Sequence, residues 1–239
     1  MNRTGLAIAL TVAAVVGVVF AVYPRLDLDI SALFFENPPW PGIFAANAQP
    51  WVQHTRDAAR VVIALLAAPA VVAIVGKLIL PRRRMLIECR AALFLMVTLV
   101  IGPGLLTNTL LKDHWGRARP IDVVEFGGTR QFTPWWDPRG ECPNNCSFIA
   151  GEPAGAFWTL APAALAPPQW RLIAYGGALA FGSGIGVLRI AGGGHFFTDV
   201  VFAGVFMYLV NLLAYRLIYG RRATRMTEKP GDPPTDVQA

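Results

Sequence analysis

The sequence of 239 residues has little charge: only 15% of its residues are Asp, Glu, Lys or Arg, whereas 54% are hydrophobic. Soluble domains carry about 25% charged residues. The deficit excludes an ordinary cytosolic enzyme, a disordered chain and a coiled coil. The sequence also lacks the runs of alternating apolar and polar residues that form barrel strands in membranes, which excludes a β-barrel.

The apolar residues occur instead in six long blocks. A helix needs about 20 mostly apolar residues to cross the hydrocarbon core of a bilayer, and each block approaches that length. We therefore predict an all-α polytopic membrane protein, with a six-helix bundle in residues 1–226 and a disordered, polar cytoplasmic tail in residues 227–239. The predicted spans are residues 5–23, 61–80, 91–111, 148–166, 172–188 and 196–219.

Basic residues mark one side of this bundle. By the positive-inside rule that side is cytoplasmic, so both termini lie inside. Residues 24–60, 112–147 and 189–195 then face the periplasm or cell exterior. The net charge of +6 reflects this insertion bias and gives no indication of a nucleic acid partner. The orientation depends on Arg3, Arg82, Arg83, Arg84, Arg171, Arg221, Arg222 and Arg225.

The first span has an alternative interpretation as a cleaved signal peptide, since Arg3 precedes it. The small-x-small sequence Ala46-Asn47-Ala48 lies more than twenty residues beyond the apolar run, which is too far for usual cleavage. We favour an uncleaved helix.

The three cysteines lie on different predicted sides of the membrane. Cys142 and Cys146 lie in a predicted outer loop, where an oxidising compartment favours a disulfide over two free thiols. A metal site is the third and weakest alternative, because two cysteines alone bind zinc poorly. Cys89 lies on the inner side and is predicted to be unpaired.

Ionisable residues in membrane spans are costly and mark functional sites. Glu152 and Asp199 lie near the starts of the fourth and sixth spans, and Lys112 and Arg189 lie just past the outer ends of the third and fifth. The topology places all four near the outer membrane surface. His195 precedes Asp199 by four residues, so we expect the two to share a helical face and form a hydrogen bond.

A basic segment, residues 112–120, lies at the same depth. Arginine and lysine are suited to binding phosphate, and the free amides at the start of the fourth span provide further donors. We therefore predict a phosphate site. The alternative, contacts with lipid headgroups or ion pairs with nearby acids, is at least equally good for Arg117 or Arg130 taken alone. The acids in question are Asp113, Asp122 and Glu125.

These segments resemble the type 2 phosphatidic acid phosphatase (PAP2) superfamily, whose motifs read Lys-x6-Arg-Pro, Pro-Ser-Gly-His and Ser-Arg-x5-His-x3-Asp. The first motif is intact from Lys112 to Arg119-Pro120, and the third is intact from Arg189 through His195 to Asp199, with Leu188 in place of serine. The resemblance covers the chain from the third span to the sixth, with the motifs in residues 112–199.

The second motif departs from the pattern and reads Ile149-Ala150-Gly151-Glu152. Ala150 lacks the hydroxyl that donates to phosphate in the family, and Glu152 replaces the histidine that protonates the leaving group. We favour Glu152 as a substitute acid over a site that depends on a good leaving group or on His114. Ser147 is predicted to cap the fourth helix.

The resemblance implies a lipid phosphatase that uses no metal or cofactor. His195 would attack phosphorus and form a phosphohistidine, with Asp199 holding its imidazole and Glu152 acting as the acid. The phosphate would be bound by Lys112, Arg119, Arg189 and the Gly151 amide.

Family members act on phosphatidic acid, phosphatidylglycerol phosphate, undecaprenyl diphosphate and the phosphates of lipid A. The second-motif variant is most similar to lipid A phosphatases, and the topology resembles that of an inner-membrane enzyme of a Gram-negative cell. The substrate is expected to be a membrane lipid phosphate, and protein partners are unspecified. A lipid phosphotransferase and a non-catalytic lipid-phosphate binding or transport protein are the alternatives.

Overall fold

A computed structural model describes residues 3–36, 42–82 and 87–220 of the chain. These residues form helices and loops, with two isolated β-bridges and no β-strand among them, as the all-α prediction requires. The helices are α1 (Arg3–Val22), α2 (Arg25–Ala32), α3 (Ala45–Ala48), α4 (Pro50–Ile79), α5 (Cys89–Leu99), α6 (Lys112–His114), α7 (Gly151–Phe157), α8 (Leu160–Leu165), α9 (Pro168–Ala191) and α10 (Phe197–Tyr219). The predicted cytoplasmic tail and five of the arginines behind the predicted orientation lie outside the described residues.

Five helical segments are long and apolar enough to cross a bilayer. They correspond to the first, second, third, fifth and sixth predicted spans: Arg3–Val22, Pro50–Ile79, Cys89–His114, Pro168–Ala191 and Phe197–Tyr219. Large apolar side chains on them are widely exposed, such as Leu78 and Leu172. A water-soluble protein would bury such faces, so these helices belong to a polytopic membrane protein.

The fourth predicted span is not one continuous helix. Residues 148–166 form a loop and the short helices α7 and α8, which are separated by a turn at Trp158 and Thr159. Pro162 has no N–H to donate to the Trp158 carbonyl, which instead accepts a tighter hydrogen bond from the amide of Ala161 at 2.8 Å. The α7–α8 segment is largely buried against α9 and α10. Six spans therefore remain a prediction.

The second span begins eleven residues earlier than predicted, at Pro50 rather than at residue 61. Proline is favoured in the first turn of a helix, where its missing N–H has no partner to lose. The added turns are polar and place Arg56 and Arg60 on α4, on the turns that contact α7. This extension therefore brings two arginines to the site described below.

The third span changes geometry halfway. After α5 the chain continues as a π-helix, Val100–Leu111, and ends in α6. Pro103 cannot donate a helical hydrogen bond, and the side chain of Asn108 donates to the Pro103 carbonyl at 2.7 Å. Such wide turns occur mostly at functional sites. Here the wide helix ends at Lys112, the first residue of the basic segment.

The loops that are predicted to face outward, called the outer loops below, form a cap over one end of the bundle. A small aromatic and aliphatic core joins α2 to the loops before α4, after α6 and before α10; it consists of Leu28, Phe44, Ala118, Val123, Phe126 and Phe196. A disulfide links Cys142 to Cys146. The amides of these two cysteines donate to the carbonyls of Gly116 and Lys112, both at 2.9 Å. Cys89 is a free thiol.

Two glycines meet where this loop crosses the basic segment. Gly116 has φ +70° in the left-handed region, and a Cβ on it would lie 2.5 Å from the carbonyl oxygen of Gly140. We predict that Gly116→Ala lowers the free energy of unfolding by about 1–2 kcal/mol from backbone strain alone, with the steric contact adding to this. Thermal unfolding in detergent measures the effect.

The matched control is Gly176→Ala on α9, where a Cβ would meet nothing within 4 Å. This substitution should be neutral or slightly stabilising, because alanine is the better helix former. Equal unfolding temperatures for the two variants would contradict the argument.

Candidate active site

The three motifs converge at the outer-loop end of the bundle. Lys112 lies at the end of the π-helix, and its Nζ would be 3.1 Å from a Cβ on Gly151 at the start of α7. Glycine at position 151 therefore allows the lysine to approach the α7 backbone closely. Arg189, in the last turn of α9, lies 3.8 Å from the Glu152 carboxylate. The bundle thus brings together residues more than seventy positions apart.

His195 is buried just before α10, with 2% of its side chain exposed. Its Nδ1 lies 2.8 Å from the backbone carbonyl of Ser147 but 3.9 Å from Asp199. The expectation of a direct His195–Asp199 hydrogen bond is therefore wrong in this structure, because α10 begins only at Phe197 and the two residues do not share a helical turn. A carbonyl can only accept, so Nδ1 carries the proton and Nε2 has a free lone pair.

Asp199 reaches the histidine through Ser147. One oxygen of Asp199 accepts hydrogen bonds from the Ser147 hydroxyl and from the Phe196 amide, the latter at 2.8 Å. Ser147 does not cap the fourth helix, as the sequence had suggested, since α7 starts at Gly151 and the residue before it is Ala150. Its hydroxyl binds Asp199 while its carbonyl orients the imidazole.

The other oxygen of Asp199 accepts a hydrogen bond from Arg117. This guanidinium is fully buried and also donates to Asp27 of α2 at 2.8 Å, to Thr198 at 2.8 Å and to the Thr133 carbonyl at 2.9 Å. The Asp27 carboxylate in turn accepts from the amide and hydroxyl of Thr198. Of the two interpretations of Arg117 that the sequence left open, the structure selects an ion pair, but with acids that the sequence did not suggest.

Three basic residues lie close enough to the imidazole to influence its charge. Burial lowers the pKa of His195 well below its ordinary value, and the nearby charges of Arg189, Arg119 and Lys112 lower it further. The imidazole is therefore neutral at physiological pH. Arg189 is buried, and its Nε has no hydrogen-bond partner among the described residues. A buried donor of this kind is well placed to bind an anionic ligand.

Glu152 is bound by arginines that the motifs do not include. Arg56 donates to both carboxylate oxygens, at 2.8 and 2.7 Å, and Arg60 donates to one of them at 2.7 Å. These hydrogen bonds are those of an ionised carboxylate, which has no proton to donate. The geometry therefore argues against the favoured sequence interpretation, in which Glu152 is the acid.

One cavity of about 270 Å³ is lined by Gly151 and Glu152 of the second motif and by the α4 arginines. Its polar lining consists of Arg56, Arg60, Asn108, Lys112, Gly151 and Glu152. His114, the alternative acid, lies on exposed α6, with its Nδ1 2.9 Å from the Leu110 carbonyl, and is not part of this lining.

Sequence reasoning missed Asp27, Arg56, Arg60 and Asn145. The two arginines had a usable signal, since they are spaced one helical turn apart directly before an apolar span and at the depth of the other charges. Asp27 had no such signal. It is one of several acids in the outer loops, and only the tertiary fold selects it as a partner of Arg117.

Comparison with known proteins agrees with the motifs. The family model described as the PAP2 superfamily matches residues 91–223, more than half of the chain. A lipid A 4'-phosphatase of Francisella tularensis subsp. novicida is 31% identical over 223 residues, which cover 93% of this chain and 99% of that protein. No solved structure gives a significant match.

Two further relatives are also lipid A 4'-phosphatases. That of Rhizobium leguminosarum is 33% identical over 77% of this chain and 83% of its own length. That of Rhizobium etli is 32% identical over 76% of this chain and 75% of its own length. The chain therefore belongs to the PAP2 superfamily, and it is a phosphatase, a phosphoric monoester hydrolase.

Proposed function

We propose that the chain removes a phosphate from a membrane lipid at the periplasmic face of a bacterial inner membrane, through a phosphohistidine on His195. The observation that carries the proposal is the 2.8 Å contact of His195 Nδ1 with the Ser147 carbonyl, which leaves Nε2 free to attack. The positive charges of Lys112, Arg119 and Arg189 act on this imidazole. A nucleophile beside positive charge is what phosphoryl transfer needs.

The proposed first step is an in-line attack of Nε2 on phosphorus. An N–P bond forms, the ester P–O bond breaks, and the leaving oxygen takes the electron pair of that bond. The Ser147 carbonyl keeps the proton on Nδ1 and stabilises the positive charge that develops on the ring. Water then attacks phosphorus, the N–P bond breaks with its electron pair returning to Nε2, and inorganic phosphate leaves. The leaving oxygen takes up one proton from solvent, and the attacking water gives one back. Lys112, Arg119 and Arg189 neutralise the equatorial oxygens throughout.

Asp199 acts in this scheme through its neighbours. Its negative charge is balanced by Arg117, and its hydrogen bonds fix the Ser147 hydroxyl and the Phe196 amide on either side of the nucleophile. We therefore assign Asp199 and Arg117 to positioning.

We propose that Glu152 anchors arginines instead of donating a proton. Its two oxygens hold Arg56 and Arg60 of α4 against the start of α7, and Arg189 is close by. The anchored guanidinium groups keep positive charge beside Lys112 and Gly151, which line the same cavity. This role replaces the acid that the sequence favoured.

The proposed substrate is a phosphate of lipid A. The support comes from the relatives, which carry that activity in their names and align over most of this chain. Lipid A is made of phosphorylated sugars bearing acyl chains, and an enzyme with lipid-facing helices and a polar site at their outer ends suits such a molecule.

We predict that the purified protein releases inorganic phosphate from lipid A in detergent without an acceptor lipid, and that His195→Ala lowers the rate at least a hundredfold. Phosphate release distinguishes hydrolysis from transfer to a second lipid. His54→Ala, at an exposed position on α4, is the matched control and should keep full activity. Phosphate release from none of the four candidate family lipids, under conditions where a related phosphatase is active, would refute the proposal.

We predict that Arg117→Ala lowers stability by about 3–5 kcal/mol, because it leaves two buried carboxylates without their cation. Arg117→Lys should recover only part of this loss, since one ammonium does not reproduce the fork that joins both acids. The control is Arg130→Ala, whose 3.6 Å pair with Asp122 is partly exposed and contributes at most about 1 kcal/mol. Thermal unfolding and phosphate release test both, and a similar loss in the two variants would contradict the network.

The role of Glu152 is tested with two leaving groups. If Glu152 anchors arginines, Glu152→Gln should lower turnover of lipid A and of an aryl phosphate by similar factors, about tenfold, because charge around phosphorus is lost in both. A proton donor is dispensable when the leaving group is good. A loss confined to lipid A, with the aryl phosphate unaffected, would restore Glu152 as the acid.

A further inference from the structure

Asn145 binds both cations of the first motif. Its side-chain oxygen accepts hydrogen bonds from Lys112 Nζ at 3.0 Å and from Arg119 Nη2 at 2.7 Å. Its backbone carbonyl accepts from Arg119 Nη2 and Nε at 2.8 and 3.1 Å. Two side chains seven positions apart in the sequence therefore share one residue, which lies outside all three motifs.

The loop around Asn145 is fastened to the segment whose cations it holds. The disulfide between Cys142 and Cys146 closes the loop, and the Cys146 amide donates to the Lys112 carbonyl at 2.9 Å. The Asn145 amide donates to Asp113 at 3.1 Å. Asn145 itself has φ +48°, a left-handed conformation that asparagine tolerates better than most residues. Together these restraints aim both of its oxygens at the cations.

The chemistry of these contacts favours orientation of the cations over competition with phosphate. Amide and carbonyl oxygens are neutral, so Lys112 and Arg119 keep their full positive charge. Arg119 uses Nε and Nη2 on Asn145. Among the described residues, both N–H groups of its Nη1 have no hydrogen-bond partner, and Lys112 keeps two of its three donors. Long side chains lose rotamer entropy when they bind a ligand, and ordering them beforehand removes that cost.

We propose that Asn145, held by the Cys142–Cys146 disulfide, is a positioning residue that orders Lys112 and Arg119 for the substrate phosphate. This inference rests on the proposed function and concerns the same site. The disulfide-bonded enzyme then binds phosphate more tightly than enzyme without the bond. The effect lies in binding of the phosphate, whereas the orientation of His195 depends on Ser147.

The test variant is Asn145→Gly, which keeps the backbone carbonyl and tolerates the left-handed conformation but removes the side-chain oxygen. We expect KM for lipid A and the inhibition constant for inorganic phosphate to rise about tenfold, with kcat changed less than twofold. Asn144→Ala is the matched control, since Asn144 lies in the same loop and is exposed. It should leave both constants unchanged.

The double variant Cys142→Ser, Cys146→Ser tests the role of the disulfide. It should raise the same two constants, and adding Asn145→Gly to it should have little further effect, because the freed loop no longer holds Asn145 in place. Full additivity of the two changes would separate the disulfide from Asn145 and overturn that part of the proposal.

Two results would overturn the role of Asn145 itself. Unchanged constants in Asn145→Gly would mean that the cations do not need it, and lowered constants would mean that Asn145 competes with phosphate. A direct measurement of inorganic phosphate binding, by the rise in unfolding temperature, does not depend on turnover. Failure of lipid A hydrolysis with an intact difference in phosphate binding between wild type and Asn145→Gly would therefore refute the proposed function and leave this inference standing.

Discussion

The guanidinium of Arg117 lies between the carboxylates of Asp27 and Asp199, all three groups are almost fully buried, and the geometry of the site depends on this contact. A charge removed from water is tolerated only when it is paired and its remaining donors or acceptors are satisfied. Arg117 meets that condition with four hydrogen bonds to four residues and a stacking contact with Phe196 at 4.4 Å. If either carboxylate moved away from Arg117, a buried charge would remain unpaired. The outer loop, α2 and the start of α10 are therefore fixed to one another.

A chain of hydrogen bonds connects the Arg117 ion pairs to His195. Asp199, held by Arg117, binds the Ser147 hydroxyl, and the carbonyl of the same serine binds His195. The segment that carries Arg117 also carries Lys112 and Arg119, so one stretch of chain places the proposed nucleophile and two of the three cations proposed to bind phosphate. The cluster around Arg117 and the group of basic residues that follows differ in net charge. Around Arg117 the acids outnumber the cation, whereas Lys112, Arg119 and Arg189 have a surplus of positive charge, which suits a phosphate dianion.

The contacts of α7 with α4 explain how a glutamate is accommodated in the second motif. A glutamate beside the three cations proposed to bind phosphate would weaken their field if it stood alone. Arg56 and Arg60, the second of which also pairs with Asp57, compensate its charge and tie α7 to α4 at the level of the site. The motif position has thus become part of an ion-pair cluster that spans two helices. The proposed change of role, from proton donor to anchor, follows from these contacts.

The sequence by itself determined the fold class, the five long spans, the family and the residues of the motifs, because hydrophobic length and motif spacing are local properties of a chain. It did not determine which of many outer-loop acids pairs with Arg117, that a carbonyl and not Asp199 holds His195, or that Glu152 meets arginines nearly a hundred positions away. Hydrogen bonds of this kind depend on distances of a few tenths of an ångström between segments remote in sequence. Only the packing of α2, α4, α7 and α10 around one site decides them.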